Sequence, residues 1–292
     1  MAALEYNEED IDSRRGNERL IHWMMAEGFL HDSMRCGRDL TQMRLERDPN
    51  ISKDHFCWRC PRANCRARIS VRDGSFFARS HLSNRKQLKV LINFVAESSA
   101  RSTALRLRIN RKHVGKIYKH ARRLYSTNLV TAPITFQDGF EYEADELYLR
   151  HVRVEPGVFR KQWVAGILER ATGKLVYYRV ENRSSESLLP PITQRLPFGV
   201  FVYTDDWPAY RPLDEMMFLH YSVNHSAGEY ARHEMVEGVP INVHINTIEG
   251  YNTWVRAKLR NRPRRTIQRL DVTLDEITYR CSGRSSFAPF KI

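Results

Sequence analysis

The run over 139–154 carries Phe140, Tyr142, Leu147, Tyr148, Leu149 and Val152, aromatic and branched residues that favour extended backbone. Inside it stands Glu143-Ala144-Asp145-Glu146-Leu147-Tyr148-Leu149. A carboxylate here points out of a sheet rather than sitting on a loop, and desolvating it is unfavourable unless it is paired or binds a metal. Asp145 therefore allows two readings. Either its strand is an edge with one solvated face, or the acid belongs to a site.

The surrounding composition bears on that choice. Among 292 residues, 47 Lys and Arg face 34 Asp and Glu, a formal net charge of +13, which points to a polyanionic partner, nucleic acid first. With 42% hydrophobic residues the chain can build a core large enough for two domains. No apolar run approaches the roughly 20 residues that cross a bilayer, and the acidic, polar start is unlike a signal peptide. An intracellular protein with no membrane association is expected.

Cysteines then read as metal ligands rather than disulfides. Cys36, Cys57, Cys60 and Cys65 can offer four thiolates to one Zn2+, with Cys57 and Cys60 in a two-residue knuckle. The pattern is incomplete, because Ser33 stands where a cysteine would pair with Cys36. His31 or His55 can substitute, or the thiols are free. Cys281 is remote in sequence and reads as an ordinary free cysteine.

Residues 1–80 read as a polar lead-in followed by this cysteine region, and 81–130 as helical. Leu88, Leu91, Ile92 and Val95 share a helical face, a short helix is expected over 102–107, and another over 111–125 with Asn110 as its N-cap. Val114, Ile117, Tyr118, Ala121 and Leu124 form its apolar stripe. Nine Lys or Arg and no acid lie between Arg101 and Tyr125. Such a face is either merely solvated or, as the last helix of a helix-turn-helix, touches double-stranded DNA through Arg111, Lys112, Lys116, Lys119, Arg122 and Arg123.

After a boundary over 126–138, strands are expected over 139–154, 162–169, 174–180, 199–204 and 217–223, with Arg170-Ala171-Thr172-Gly173 closing a hairpin. Trp163, Ala165 and Ile167 face one way and Val164 and Leu168 the other, as in a sheet covered on both sides. A helix over 184–196 is expected to be interrupted at Pro190-Pro191, 226–243 reads as a loop or small insertion, and a late helix runs from Asn246 to Leu259. Asp205 ends a buried strand and Glu249 lies in the first turn of that late helix. Each has a local alternative: Asp205 can cap the next turn, and Glu249 can form a capping box with Asn246. Together with Asp145 they can instead hold two Mg2+ or Mn2+ ions for phosphodiester chemistry.

The blocks Ala144-Asp145-Glu146-Leu147-Tyr148, Tyr203-Thr204-Asp205-Asp206-Trp207 and His244-Ile245-Asn246-Thr247-Ile248-Glu249 resemble the Merlin-type DDE transposases and their bacterial insertion-sequence relatives. The resemblance extends upstream to Trp58, Cys60, Cys65 and the Ser70-to-Phe77 stretch. It implies an α/β, RNase H-like mixed-sheet catalytic domain over 139–285, preceded by a degenerate zinc ribbon and the helix-turn-helix-like region. It also implies a DDE triad of Asp145, Asp205 and Glu249, with Asp205 preferred over Asp206. Arg256, His225 and His244 match supporting positions, whereas Glu143 and Glu146 are expected beside the site or on the surface. The implied activity is metal-dependent cleavage and strand transfer at transposon ends by a homo-oligomer on DNA. The alternative is a domesticated or decayed relative that binds DNA without cutting it. The eukaryotic-type resemblance implies a nuclear protein, with the basic stretch over 260–265 as a weak import signal.

Overall fold

The computed structural model describes residues 6–51, 53–136, 140–260 and 267–292, the side chains of 150–154, 260, 267 and 268 excepted. Gly139, expected to open the second domain, and 261–265 of the basic stretch lie outside the described residues. The chain divides into two compact units, Met1–Leu124 with Ser285–Ile292, and Tyr125–Arg284.

In the first unit, α1 (Glu8–Ser13) forms within what the sequence suggests is a loose lead-in over 1–19, and α2 (Asn17–Ala26) takes in the apolar patch from Leu20 to Met25 that follows it. Asn7 and Asp10 form a capping box around a single fully buried apolar residue, Ile11, and one apolar position gives no period to read. Next come β1 (Arg44–Arg47), β2 (Phe56–Arg59) and β3 (Arg68–Ser70) in one antiparallel sheet. Then follow α3 (Asn84–Val95), α4 (Ala100–Arg106) and α5 (Arg111–Thr131). Ser83 and Ser99 cap α3 and α4, and Asn110 Oδ1 accepts from the Lys112 amide at 2.9 Å at the start of α5. Val114, Ile117, Tyr118 and Ala121 are buried, so α5 presents the opposite, basic face outward.

The second unit is a mixed α/β fold. Its strands are β4 (Glu141–Glu155), β5 (Val158–Glu169), β6 (Leu175–Val180), β7 (Phe201–Asp205) and β8 (Leu219–Val223), in the order β6-β5-β4-β7-β8. The first three form an antiparallel meander, and β7 and β8 add in parallel on the other side of β4. Alternation along β5 sorts the core as expected: Val164 and Leu168 join one cluster, and Ala165 and Ile167 the other. The second cluster is roofed by α6 (Ser185–Arg195).

That helix runs through Pro190 and Pro191 instead of breaking. The prolines leave the carbonyls of Glu186 and Ser187 without their usual amide donors, but Glu186 and Pro190 are exposed, so water can serve that face. Residues 226–243 are also more regular than a loop. They contain β9 (Arg232–Val236) and β10 (Val239–Val243), an antiparallel hairpin whose turn residues Glu237 and Gly238 take φ of 51° and 83°. Ile241 and Val243 enter the first core cluster beside α7 (Asn246–Arg260) and α8 (Ile267–Arg280). The last helix covers the free edge of β6, where Thr278 Oγ1 accepts from the Tyr177 amide at 3.0 Å.

Candidate functional site

The parallel ladder between β4 and β7 pairs Glu141 with Phe201, Tyr142 with Val202 and Glu143 with Tyr203, then stops. Two residues past the last pair on each strand stand Asp145 and Asp205. The carboxyl end of a parallel strand is where open α/β sheets gather functional side chains; β7 ends at Asp205 while β4 continues past Asp145, and three acids gather here. Carboxylate oxygens of Asp145, Glu146 and Asp205 all lie within 4.8 Å of one another.

Crowding raises the affinity of this group for protons. Burial, then the charges of Glu146 and Asp205, push Asp145 up to about 8, against the opposing pull of the Glu146 amide. Burial and Glu146 push Asp205 up to about 6, while the Trp207 amide, Arg183 and His225 pull it down. Asp145 Oδ1 accepts from the Glu146 amide at 2.8 Å and Oδ2 from Asn252 Nδ2 at 2.6 Å. Asp205 Oδ1 accepts from the Trp207 amide at 3.2 Å. Asp206 is exposed and takes a hydrogen bond from Asn224 instead.

Glu146 is neither peripheral nor on the surface. Its buried carboxylate accepts from Tyr210 Oη at 2.7 Å and from Arg183. Arg183 stacks on Trp207, 3.8 Å from the ring centre, and its guanidinium is 3.7 Å from Asp205 Oδ2. An internal cation thus offsets part of the acid charge.

Glu143 is fully buried as well. Its Oε2 accepts from the Ile248 amide at 2.8 Å, in the first turn of α7, and its Oε1 from Arg170 Nε at 2.8 Å. Arg170 also donates to the carbonyls of Asn242 and His244 and lies over the Tyr203 ring. His244 Nδ1 accepts from the Asn246 amide at 3.3 Å, and burial and Arg170 push the ring's pKa down, so a neutral histidine caps α7. These groups take the capping role that the capping-box reading gives to Glu249. Asn246 is itself the first helical residue, which puts Glu249 one position beyond the capping-box spacing.

Glu249 stands outside the three-acid group: its Oε1 is 3.4 Å from His225 Nδ1, and its carboxylate is 42% exposed. Its charge still contributes to raising Asp145. Arg256, two turns further along α7, is exposed.

Elsewhere, Cys36, Asp39, Cys60 and Cys65 bring ligand atoms within 4.8 Å of one another. Cys57, expected as a ligand, is not among them, and neither is His31 or His55. β2 extends from Phe56 to Arg59, and residues three apart along an extended chain point to opposite faces, so the expected knuckle cannot close. Asp39 replaces it. The Thr41 amide donates to its Oδ1 at 3.0 Å and holds the carboxyl below its usual range. The spacing Cys36-x-x-Asp39 is the signal that a search for cysteines alone passes over.

Along α5, Arg111, Lys112, Lys116, Lys119 and Arg123 are exposed, whereas Arg122 is half-buried with its guanidinium 5.6 Å from the Phe94 ring centre.

A family model described as the ISXO2-like transposase domain matches residues 139–282. Residues 139–282 belong to that transposase family. The matched segment contains the three-acid group, Glu249 and every strand of the mixed sheet. No curated protein sequence matches the chain. Among solved structures, it is similar to a chain of the simian T-cell lymphotropic virus intasome in complex with PP2A regulatory subunit B56 gamma. That match has 12% identity and a TM-score of 0.30, and covers 63% of this chain and 66% of that one, slightly under two thirds of its length. The Mos1 transposase paired-end complex with left transposon end matches at 9% identity and a TM-score of 0.23, covering 73% and 82%.

Proposed function

We propose that the chain is a DNA transposase with an RNase H-like catalytic domain, in which Asp145, Asp205 and Glu249 form the DDE triad. The observation that carries this reading is the meeting of Asp145 and Asp205 just past the end of the β4–β7 ladder, inside a transposase-family domain. The strand order, three antiparallel strands extended by two parallel ones, supports the fold assignment.

The donor set fits a hard divalent cation: it is all oxygen, and carboxylates forced this close repel unless protonated or bridged by positive charge. Asp145, Asp205 and Glu146 would hold Mg2+ or Mn2+, with Glu249 approaching from α7. Two such ions, when bound, would polarise an attacking oxygen and offset charge on the leaving one. The chain's own groups prepare the site. Arg183 and the Trp207 amide orient Asp205, Tyr210 fixes Glu146, and Glu143 with Arg170 anchors the helix that carries Glu249. Arg256 can contact substrate phosphate. The reaction is hydrolysis of one phosphodiester, followed by attack of the new 3′ hydroxyl on target DNA.

The three helices α3–α5 and the exposed cations of α5 support end binding by a helix-turn-helix-like region. Three thiolates and one carboxylate from Cys36, Cys60, Cys65 and Asp39 suit one tetrahedral Zn2+, a variant of a zinc ribbon. In this reading the working form is a homo-oligomer on DNA in the nucleus.

The test is Mg2+- or Mn2+-dependent nicking of DNA carrying the element's own ends. Asp145→Asn, Asp205→Asn and Glu249→Gln should each abolish it. Retained nicking in all three rejects the mechanism, and salt-sensitive binding without any cleavage by the unaltered chain identifies a non-catalytic relative.

A further inference from the structure

Three strands place Asp145, Gly166 and Tyr177 in a row: Asp145 pairs with Gly166, and Gly166 with Tyr177. Residues opposite one another in a sheet face the same side, here the side of α7. Gly166 leaves that side open. A Cβ built on it would lie 2.8 Å from Tyr177 Cε1, closer than real side chains come, and 3.2 Å from Ile248 Cδ1, a tight contact. The tyrosine ring uses this space to lean across β5 towards β4.

Its hydroxyl donates to Asn252 Oδ1 at 2.7 Å. Asn252, which is 1% exposed, donates in turn through Nδ2 to Asp145 Oδ2 at 2.6 Å. Chemistry fixes the direction of this chain. A carboxylate that holds a cation only accepts, so in the metal-binding form the amide nitrogen must face Asp145, as it does here, and the amide oxygen is left for the tyrosine hydroxyl. Burial holds the Tyr177 hydroxyl protonated far above its usual range, which keeps it a donor. With the Glu146 amide on Oδ1, both Asp145 oxygens are held, and the carboxylate cannot rotate without breaking a bond. Its remaining lone pairs are fixed in direction.

We infer that Tyr177 and Asn252 are positioning residues that set how tightly the Asp145–Glu146–Asp205 group holds a divalent cation. The inference rests on the metal-dependent reading above, and it adds residues that touch neither metal nor DNA. Asn252 lies three positions after Glu249, so one helix face delivers both the third acid of the proposed triad and the group that aims the first.

Mn2+ titration of the full-length, metal-stripped chain, followed by the electron paramagnetic resonance of free Mn2+, tests it without requiring turnover. Thiolate sites are poor partners for Mn2+, so the signal reports on the carboxylates. Partners of metal ligands typically carry 10- to 100-fold in affinity. Asn252→Ala should therefore weaken Mn2+ binding about 10- to 100-fold, and Tyr177→Phe, one bond further out and missing only an oxygen, about 3- to 10-fold. In nicking assays both should lower kcat and leave KM for DNA unchanged. If both variants bind Mn2+ as tightly as the unaltered chain while Asp145→Asn does not, the inference is overturned and the metal reading stands. If Asp145→Asn also binds normally, the metal reading itself falls, and the inference with it.

Discussion

Asp145 should destabilise the metal-free protein, and replacing it with Asn should make that protein more stable while removing the site. In the folded chain the group is pushed from 3.8 to about 8. The unfolded chain releases this proton near 3.8, so the penalty is absent at lower pH, grows as pH rises and levels off above about 8. At pH 7 the interval is about 3 pH units, or about 4 kcal/mol at 1.36 kcal/mol per unit. Asn cannot satisfy both the Glu146 amide and Asn252 Nδ2, and losing one such bond costs about 1–2 kcal/mol. The net gain for Asp145→Asn is then about 2–3 kcal/mol at pH 7, or about 5–10 °C in Tm for a unit of this size. Near pH 4 the sign reverses, with the two melting curves crossing at about pH 5. The assay is thermal unfolding followed by circular dichroism in chelator from pH 4 to 8.5. Saturating Mg2+ should raise Tm for the unaltered chain and leave the variant in place. A variant that melts at or below the unaltered protein throughout this range would refute the electrostatic argument.

Glu143→Gln removes the anion that binds Arg170 and caps α7, and should cost about 2–4 kcal/mol in urea unfolding, since Glu141 still offers Arg170 a partner. The chain should purify with one Zn2+, measured by colorimetric release, that is lost in Cys60→Ser and Asp39→Ala and kept in Cys57→Ser. Replacing Lys112, Lys116 and Lys119 with Ala should weaken DNA binding and reduce the slope of log affinity against log salt by about 0.9 for each phosphate no longer neutralised.

What was legible in the sequence follows from periodicity. The five strands of the mixed sheet, the sorting of Ala165 and Ile167 from Val164 and Leu168, and the Asn110 cap all obey local rules that tertiary packing leaves intact. Misreadings occurred where a residue's partner is distant in sequence. Glu143 and Glu146 read as acids beside the site or on the surface, and the choice between the two is made only when Arg170, Ile248, Arg183 and Tyr210 are brought to them. Cys57 looks like half of a knuckle until β2 is seen to be extended through it. The β9–β10 hairpin carried a readable signal in Glu237-Gly238 and the alternating Val239, Ile241 and Val243, hidden because β9 holds one branched residue, Val236, and because Met235 and Val239 face outward. Helix α8 did too, with Leu270, Leu274 and Ile277 at helical spacing. Asn252 shares a helix face with Glu249, but only the row of Asp145, Gly166 and Tyr177 reveals what it faces.

That row constrains a part of the chain far from any chemistry. Arg170-Ala171-Thr172-Gly173 joins β5 to β6 as an outer turn, with Leu168 and Leu175 the last residues paired before it. Its length sets which β6 residue stands beside Gly166. Adding or deleting one residue there would turn the tyrosine to the opposite face of the sheet and leave the gap above Gly166 unfilled. Ala171, which is exposed, can change freely in identity, yet the number of residues in the turn cannot. Across related chains, position 171 should therefore vary while the loop keeps its length and Arg170, which holds Glu143 and the carbonyls of Asn242 and His244, unlike most surface loops, which absorb insertions readily.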